Sequence, residues 1–475
     1  MKTMKTLAIL AMAFGLASAA QAQELKSANF LDNYLYGYRL NPSVTPTETV
    51  GFVGIAAGNI SLDAQTNFGL SNFLFPLADG RLVTGLNSAI PQSQFPGGME
   101  KINRVNANLS ENLLSIGASG KKGAYNHFEI NLVSQNGVNV PRSLFEAFKN
   151  NNTTGNYTVE GLNFNTAEYL ELAFGRSKRN KNLAIGWTFK GLVGLFRADA
   201  NIDMEINTAG DNMYLRSLGT LKASASVVSI GTDSEGYYDP STLAPDLKNL
   251  KPSGLGAAVD IGASYYLLND KIILGAAVRN LGMMKWTDNL YGQNSGNKVI
   301  IDMNNTDNLS KEMQDMLKFK PVSGSAAGKL SMLPFSFNLS AKYKPVKLVT
   351  VGVVGTMYKY NGYTTKDIRF GAAFTPLRQF NLAGTYSIGD QGQEVGLAAS
   401  VRLLGINIYA GIDAIRFRVS PQYIPLDPVS TTVNVGAAIA FGKANPAKAS
   451  KKAAAKKASS KKKKADNAQP SEEAE

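Results

Sequence analysis

The chain has 475 residues and a formal net charge of +13, with 18% charged residues and no cysteine. The lack of cysteine excludes disulfides, thiolate metal sites and cysteine catalysis, and the single histidine excludes a multi-histidine metal site. Much of the positive charge lies in the C-terminal residues 443–475, which carry ten lysines against four acids. This uneven distribution argues against nucleic acid as a partner, because no long basic surface extends through the middle of the chain.

Residues 1–22 have the pattern of a secretory signal peptide. Lys2 and Lys5 precede a short apolar run, and Ala20-Gln21-Ala22 offers a small-x-small cleavage site. A membrane-anchoring helix is the weaker alternative, because the apolar run is too short to span a bilayer. The remaining sequence contains no run of about 18 apolar residues that would predict a spanning helix. An exported protein of this kind is either soluble or a transmembrane β-barrel.

From Leu330 onward, apolar and polar residues alternate in one segment after another. This period of two predicts strands with two different faces. The segments are about ten residues long, whereas strands of soluble sandwiches average five or six. Very short connections such as Lys344-Pro345-Val346 and Leu404-Gly405 alternate with longer polar ones. Long strands with short turns at one rim are typical of outer-membrane barrels, whose short turns face the periplasm.

The predicted fold class is all-β, a transmembrane antiparallel β-barrel of about 14 strands in the outer membrane of a Gram-negative bacterium. We expect a signal peptide over 1–22, a periplasmic or plug segment over 23–49, the barrel over 50–442 and a disordered Lys-rich tail over 443–475. Long outer loops are expected at residues 68–104, 137–161, 196–254 and 286–329, with a short helix at residues 141–150 in the second loop. The predicted strands begin near Val50 and end at Phe441.

The face that would line the lumen carries equal numbers of acids and bases. They are Glu129, Glu171, Asp260, Glu394 and Asp413 against Lys190, Arg279, Lys342, Arg369 and Arg402. An ion-selective pore would favour one sign, so equal numbers predict paired networks, with solvated wall residues as the alternative. His127 lies on the same face and is expected to serve as a hydrogen-bonding residue. We expect no catalytic residue, metal or cofactor, and therefore no enzyme.

Small residues on the inner face, including Gly262, Gly371 and Gly411, leave space for another part of the chain. The candidate is the aromatic N-terminal segment, because barrels of this size are often closed by an inserted segment. The residues expected to form this plug are Phe30, Tyr34, Tyr36, Tyr38, Asn41 and Pro42. An exposed periplasmic arm is the alternative interpretation.

Two stretches carry a resemblance to known families. Asn29-Phe30-Leu31-Asp32, followed by Tyr34-x-Tyr36-x-Tyr38-Arg39-Leu40-Asn41-Pro42, resembles the opening of an uncharacterised outer-membrane family of Bacteroidota. The stretch from Leu274 to Gly282 resembles FadL-type long-chain fatty-acid transporter barrels and their PorV-like secretion relatives. The resemblance implies fourteen strands and an N-terminal hatch with an Asn-Pro-Ala motif, in which Ser43 here takes the third position.

The leading functional hypothesis is passive transport of a small hydrophobic molecule through a plugged lumen. The alternative is a non-transporting scaffold barrel of an outer-membrane or secretion assembly. Expected partners are outer-membrane lipid and a small hydrophobic ligand. For the tail we expect anionic periplasmic partners, such as peptidoglycan or lipid head groups, with a solvated spacer as the alternative.

Overall fold

The structure is a computed structural model, which describes residues 24–443 with gaps. The gaps are residues 33, 47–48, 57, 121–122, 151–153, 210–211, 246–250, 288, 303–308, 324–327, 361–362, 378, 391, 416–427 and 429. The predicted signal peptide and, apart from Lys443, the predicted Lys-rich tail lie outside the described residues. Within the described part of the chain, no helix is long and apolar enough to cross a membrane.

The alternating segments form long antiparallel strands. In chain order they are β1 Thr49–Ile55, β2 Ile60–Thr66, β3 Leu74–Pro76, β4 Leu82–Thr84, β5 Ile102–Ser119, β6 Ala124–Pro141, β7 Gly155–Asn180, β8 Leu183–Ala209, β9 Asn212–Ser224, β10 Val228–Thr232, β11 Tyr238–Pro245, β12 Gly254–Leu267, β13 Ile272–Trp286, β14 Leu290–Asp302, β15 Lys320–Pro321, β16 Leu330–Met332, β17 Phe335–Val346, β18 Val349–Tyr360, β19 Tyr363–Leu377, β20 Phe380–Gly389, β21 Gly392–Leu403, β22 Ile406–Ile415 and β23 Ser430–Lys443. The helices are α1 Arg142–Lys149 and α2 Leu309–Met316, with 3-10 turns at Lys26–Phe30, Gly37–Arg39 and Leu70–Asn72. Helix α1 confirms the helix expected at residues 141–150.

Fourteen antiparallel strands close into a barrel, which confirms the predicted fold class. β1 and β2 are two halves of one strand, since both pair with β5 on one side and β23 on the other. The ring continues from β5 through β6, β7, β8, β12, β13 and β17 to β23. Closure leaves the barrel without a free edge, as a membrane-spanning sheet requires.

The two faces of the wall have opposite polarity. On β8, Ile185, Trp187 and Phe189 are exposed on the outer surface, whereas Thr188 and Lys190 between them are buried inside. The same alternation of exposed apolar and buried polar residues recurs on the strands after Leu330. An apolar exterior around a polar interior is the arrangement of a barrel that sits in lipid.

The two rims differ, although less completely than predicted. Six hairpins, from β5–β6 to β21–β22, close with short turns at one rim, which we call the turn rim. The opposite rim, called the loop rim, carries the long connections. The hairpins β18–β19 and β20–β21 also close there with two-residue connections. The predicted contrast between rims therefore holds only for part of the barrel.

The prediction of one long loop over residues 196–254 is wrong. β7 and β8 extend to 26 and 27 residues and, with β9 and β14, continue as a sheet beyond the loop rim. Ile202, Met204 and Met213 on this extension form a separate apolar core, against which α1 and α2 pack. Strand structure persists outside the barrel because this second core buries one face of the extension.

Candidate functional site: the N-terminal segment in the barrel lumen

Residues 24–46, here called the N-terminal segment, lie inside the barrel near the turn rim. Its apolar and aromatic side chains form a buried core with residues of the wall, including Phe52, Tyr125 and Tyr409. Toward the loop rim, the lumen holds a second apolar cluster around Tyr169 and Trp286. The predicted plug residues Phe30, Tyr34, Tyr36, Tyr38, Asn41 and Pro42 all belong to the N-terminal segment and are buried.

Asp413 on β22 holds the start of the segment. Its Oδ2 accepts hydrogen bonds from the backbone N–H of Lys26 at 2.6 Å and of Ser27 at 3.2 Å. Its Oδ1 accepts the Ser27 hydroxyl. These N–H groups begin a 3-10 turn, where no carbonyl within the turn is available to them, so Asp413 caps the turn. Arg369 lies 3.1 Å from Asp413 and 3.0 Å from Glu394. We call Arg369, Glu394 and Asp413, with Lys26 and Ser27, the Arg369 network.

Arg39 holds the other end of the segment. Its Nε donates to Glu129 at 3.0 Å, and its terminal nitrogens donate to Asn131 at 2.7 Å and Glu24 at 3.3 Å. The Tyr38 hydroxyl donates to the same Glu129 at 2.6 Å. Burial disfavours the charge on Arg39, but Glu129 and Glu24 outweigh it and raise the pKa of the guanidinium. We call these five residues the Arg39 network.

A third set of charges lies on the wall beside the Arg39 network. Lys190 is 3.0 Å from Asp260 and 3.4 Å from Glu171. Asn131 donates to Glu171 at 3.1 Å and accepts from Arg39, so it joins the two sets. Seven of the ten predicted lumen charges thus lie in these three sets of hydrogen bonds and ion pairs: Glu129, Glu171, Lys190, Asp260, Arg369, Glu394 and Asp413.

The other three predicted charges lie apart from these sets. Lys342 donates to the backbone carbonyl of Asn29 on the segment. Arg279 lines a small cavity next to the segment, and its buried Nε has no hydrogen-bond partner among the described residues. Arg402 is half-buried near the turn rim.

The aromatic middle of the segment faces the first strand of the barrel. Tyr36 shares a hydrogen bond with Ser115 at 2.8 Å, and Tyr34 accepts one from Asn59 at 3.2 Å. The ring of Tyr34 meets the edge of Tyr409 with centroids 5.0 Å apart. Tyr38 stacks on His127 at 3.9 Å. Burial raises the pKa of the Tyr34 and Tyr38 phenols, so these groups act as neutral hydrogen-bonding partners.

The hydrogen-bond ladder of the wall is interrupted beside these tyrosines. β1 pairs with β23 as far as Val53 opposite Ile439, and pairing resumes at Ile60 opposite Val435. The first strand uses six residues between these pairs where β23 uses three. The carbonyl of Gly58 turns into the lumen, where it accepts the Tyr409 hydroxyl at 3.0 Å. We call this interruption between β1–β2 and β23 the seam.

The Asn41-Pro42-Ser43 turn closes the segment against the wall. The Asn41 amide donates to backbone carbonyls of β12 and β13 at 3.2 and 3.4 Å, and its oxygen accepts the backbone N–H and hydroxyl of Ser43. A Cβ at Gly262 would lie 2.8 Å from the Pro42 ring, and one at Gly186 would overlap the Pro42 carbonyl. These wall positions therefore require glycine for close approach of another backbone.

Sequence reasoning singled out the tyrosines but not several residues that hold them. Arg39, Ser27, Asn131 and Tyr409 were not predicted as site residues. Asn131 and Tyr409 lie on strands whose residues alternate between the two faces, and both are at positions that point inward. The alternation alone could therefore have marked them as lumen residues. Nothing in the sequence pairs Ser27 with Asp413, because they are 386 residues apart and only barrel closure brings them together.

The lumen around the segment is nearly filled. Two cavities beside the Arg39 network measure about 40 and 30 Å³, which is room for a few water molecules but not for an organic ligand. Among the described residues, no group of three His, Asp or Glu side chains is placed to hold a metal ion. The arrangement can close a lumen and can open it only if the segment moves.

The fold and the site define an outer-membrane type β-barrel whose lumen contains its own N-terminal segment. Within this class, the chain belongs to the Family of unknown function (DUF5723), whose family model matches residues 42–413. That range begins in the Asn41-Pro42-Ser43 turn and ends at Asp413 of the Arg369 network. That the protein comes from a member of the Bacteroidota stays a prediction. Among curated proteins, no sequence matches this chain.

Solved barrel structures are similar at low identity. The toluene transporter TodX of Pseudomonas putida is 10% identical, with a TM-score of 0.42, covering 89% of this chain and 96% of its own. The toluene transporter TbuX of Ralstonia pickettii is 7% identical, with a TM-score of 0.44, covering 86% and 94%. The translocator domain of the Neisseria meningitidis autotransporter NalP is 7% identical, with a TM-score of 0.31, covering 83% and 89%. The fold assignment rests on the strand pairing of this chain itself.

Proposed function

We propose that this protein passes a small hydrophobic molecule passively across the outer membrane and that the N-terminal segment is its gate. The observation that carries the proposal is the seam. It is the place where β1–β2 and β23 lose their hydrogen bonds to each other, and the aromatic middle of the segment covers it from inside. Separating two strands of the wall needs less energy at the seam than elsewhere, because fewer interstrand hydrogen bonds must break there.

The chemistry around the seam favours a hydrophobic ligand. Outside it lies the apolar surface of the barrel, with Ile439 and Val435 exposed beside the missing pairs. Inside it lie the rings of Tyr34, Tyr36 and Tyr409. A molecule moving between lumen and membrane at this point would meet apolar and aromatic surface on both sides. An ion would lose its hydration there without compensation.

The closed arrangement requires the segment to move before anything passes. Tyr36 and Tyr409 lie against Gly58 and Gly436 at the seam, and the cavities beside the Arg39 network hold only a few waters. The balanced ion pairs of the lumen fasten the segment rather than select an ion. In this proposal the ligand moves down its own gradient whenever the aromatic middle of the segment is displaced.

Locking the segment tests the proposal, because the chain has no native cysteine. Ser27 and Thr385 hydroxyl oxygens are 2.6 Å apart, and those of Ser43 and Ser264 are 2.7 Å apart. The double variants Ser27→Cys/Thr385→Cys and Ser43→Cys/Ser264→Cys would each tie the segment to the wall when oxidised. The measurements are uptake of radiolabelled toluene and palmitate by Gram-negative cells and single-channel conductance in planar bilayers.

We expect oxidised double variants to lose uptake and to regain it in dithiothreitol, while each of the four single-cysteine variants transports under both conditions. Deletion of residues 24–46 should open a conductance that the full chain lacks. Uptake that continues unchanged in both locked variants would contradict the gate.

N-terminal sequencing of the exported protein tests the proposed removal of residues 1–22.

A scaffold barrel is the second candidate, and the filled lumen is the observation that favours it. Two polar networks and an aromatic core hold the segment, as a purely structural plug would also need. If the full chain, the reduced variants and the deletion all fail to conduct or to take up ligand, the scaffold reading replaces transport. A partner would then be sought by cross-linking at the extension beyond the loop rim.

A further inference from the structure

The turn rim is strongly basic between β7 and β18. Arg176 and Lys178 project from the outer face of β7, and Lys181, Lys271 and Lys347 lie at or beside the short turns. All five side chains are exposed, and none has an ion-pair partner among the described residues. The acid on this stretch of the described rim, Asp270, is already held by Arg179 at 2.5 to 2.8 Å. The free charge here is therefore positive only.

An apolar groove of about 540 Å³ runs across the membrane-facing surface directly above this rim. It runs from β8 across β12, β13, β17 and β18 to β19. Ala276, Ala341 and Gly355 are its small positions, and Leu274, Leu339 and Ile368 lie beside them. No atom lies within 4 Å of where a Cβ of Gly355 would be, so the surface is hollow there. On the outer face, Lys178 of β7 pairs with Ile185 of β8, and Ile185 pairs with the groove residue Ala263 of β12. Groove and charge are therefore two strands apart, about 10 Å at roughly 4.8 Å per strand.

We propose that the basic rim and the groove together bind an anionic glycerophospholipid of the adjacent leaflet. The phosphate faces Lys178, and one acyl chain lies in the groove between Leu274 and Ile368. Each half of the site fits one half of such a lipid: free cations where the headgroup lies, and a hollow apolar surface where the chain lies. The site is on the outside of the barrel, so it does not depend on transport through the lumen.

Charge complementarity separates this occupant from a second copy of the chain. Two copies meeting at this surface would bring their uncompensated lysines and arginines together, and juxtaposed like charges disfavour such contacts. An anionic lipid instead neutralises them. Its attraction falls with added salt, because exposed charges are screened within about 10 Å at 0.1 M ionic strength.

Native mass spectrometry of the full protein in a non-ionic detergent tests the site directly. The protein is titrated with phosphatidylglycerol and with phosphatidylcholine of identical acyl chains. We expect phosphatidylglycerol to bind about tenfold more tightly at low salt, since each lysine near an anionic surface contributes to the attraction. The preference should shrink as salt is added. Equal affinity for the two lipids would overturn the headgroup site.

Matched variants locate the binding. The triple variant Lys178→Gln, Lys271→Gln and Lys347→Gln should lose the preference for phosphatidylglycerol. The control triple Lys101→Gln, Lys222→Gln and Lys285→Gln makes the same charge change at the loop-rim end and should keep that preference.

Gly355→Leu fills the groove and should weaken binding of both lipids about threefold, judged from the apolar area lost. Ala410→Leu, on a distant part of the same apolar surface, should not. Heat-modifiable gel migration confirms that each variant is a folded barrel.

Each outcome decides a part of the proposal. Equal loss of preference in both lysine triples would overturn its location at the turn rim. Unchanged binding in Gly355→Leu would overturn the placement of the acyl chain. A dimer that Gly355→Leu abolishes would assign the groove to a second copy. Tighter binding of lipopolysaccharide than of phosphatidylglycerol would assign the phosphate contacts to the opposite leaflet and overturn the proposed lipid.

Discussion

The two polar networks that hold the N-terminal segment obtain their positive charge from different places. In the Arg369 network the guanidinium belongs to the wall and already pairs with the wall acids Glu394 and Asp413. In the Arg39 network the guanidinium belongs to the segment, and Glu129 belongs to the wall. Among the described ion pairs of Glu129, none comes from a wall cation.

This difference predicts which end of the segment leaves first. When the start of the segment moves away, Asp413 loses backbone and hydroxyl donors but keeps Arg369, and Asp367 loses Lys26 but keeps Arg369 at 3.9 Å. When Arg39 moves away, Glu129 stays buried with no wall cation to compensate it, which costs more than a change that leaves each wall acid a cation. We therefore expect the segment to open first at Lys26 and Ser27, while Arg39 and the Glu24 that it holds stay in place.

Thiol labelling can follow each end separately. Ala28 and Ser43 are 2% and 1% exposed and lie near the two networks. Ala28→Cys or Ser43→Cys introduces the only thiol in a chain without cysteine. Its rate of reaction with a maleimide reports how often that end of the segment undocks.

The largest effect is expected for Arg39→Met. Removing one partner of a buried ion pair costs about 3 to 5 kcal/mol, so labelling at position 43 should rise at least about a hundredfold. Adding Glu129→Leu removes one of the two carboxylates that lose Arg39, the other being Glu24, and should recover part of the loss. If Arg39→Met leaves the labelling rate near that of the parent, the Arg39 network is not what retains the segment.

A smaller effect at the same end is expected for Gly262→Val. The new side chain would overlap Asn41 Oδ1 and press on the Pro42 ring from 2.8 Å, and overpacking of this kind costs about 1 to 3 kcal/mol. Labelling at position 43 should rise about tenfold, by the same conversion. Gly355→Val is the matched control, because it adds the same atoms where nothing lies within 4 Å. A similar rise in the control would point to general destabilisation of the wall.

Asp413→Asn tests whether the two ends act independently. The change weakens the hydrogen bonds to Lys26 and Ser27, at about 1 to 2 kcal/mol, while Arg369 keeps Glu394. Labelling at position 28 should rise about tenfold and labelling at position 43 by less than about twofold. Equal increases at both positions would show that the segment moves as one body and would remove the basis of the comparison.

The smallest effect is expected for Arg179→Gln at the turn rim. Arg179 and Asp270 form a close pair but are 39% and 52% exposed, and such surface pairs contribute about 1 kcal/mol or less. Neither labelling position should change. Thermal unfolding in detergent should stay within a few degrees of the parent, and a larger fall would mean that the rim contributes to barrel closure.

The barrel was predictable because lipid imposes a pattern on each strand. Ile185, Trp187 and Phe189 face outward while Thr188 and Lys190 face inward, and this alternation is readable in the letters alone. The extension beyond the loop rim was missed because lipid does not impose that pattern on it. Its strands bury their apolar residues against helices of the same chain, so they do not follow the single lipid-facing pattern.

The sequence by itself determined the fold class, the strand number and the placement of balanced charges toward the interior, because these follow from period-two polarity and chain order. Only the tertiary structure decided the partners: Asp413 with Ser27, Glu129 with Arg39, and the seam beside Tyr409. Those contacts join positions up to several hundred residues apart. Their geometry depends on the register in which fourteen strands close, and a one-residue slip of a strand would turn its wall side chain, such as Asp413, Glu129 or Tyr409, to the other face.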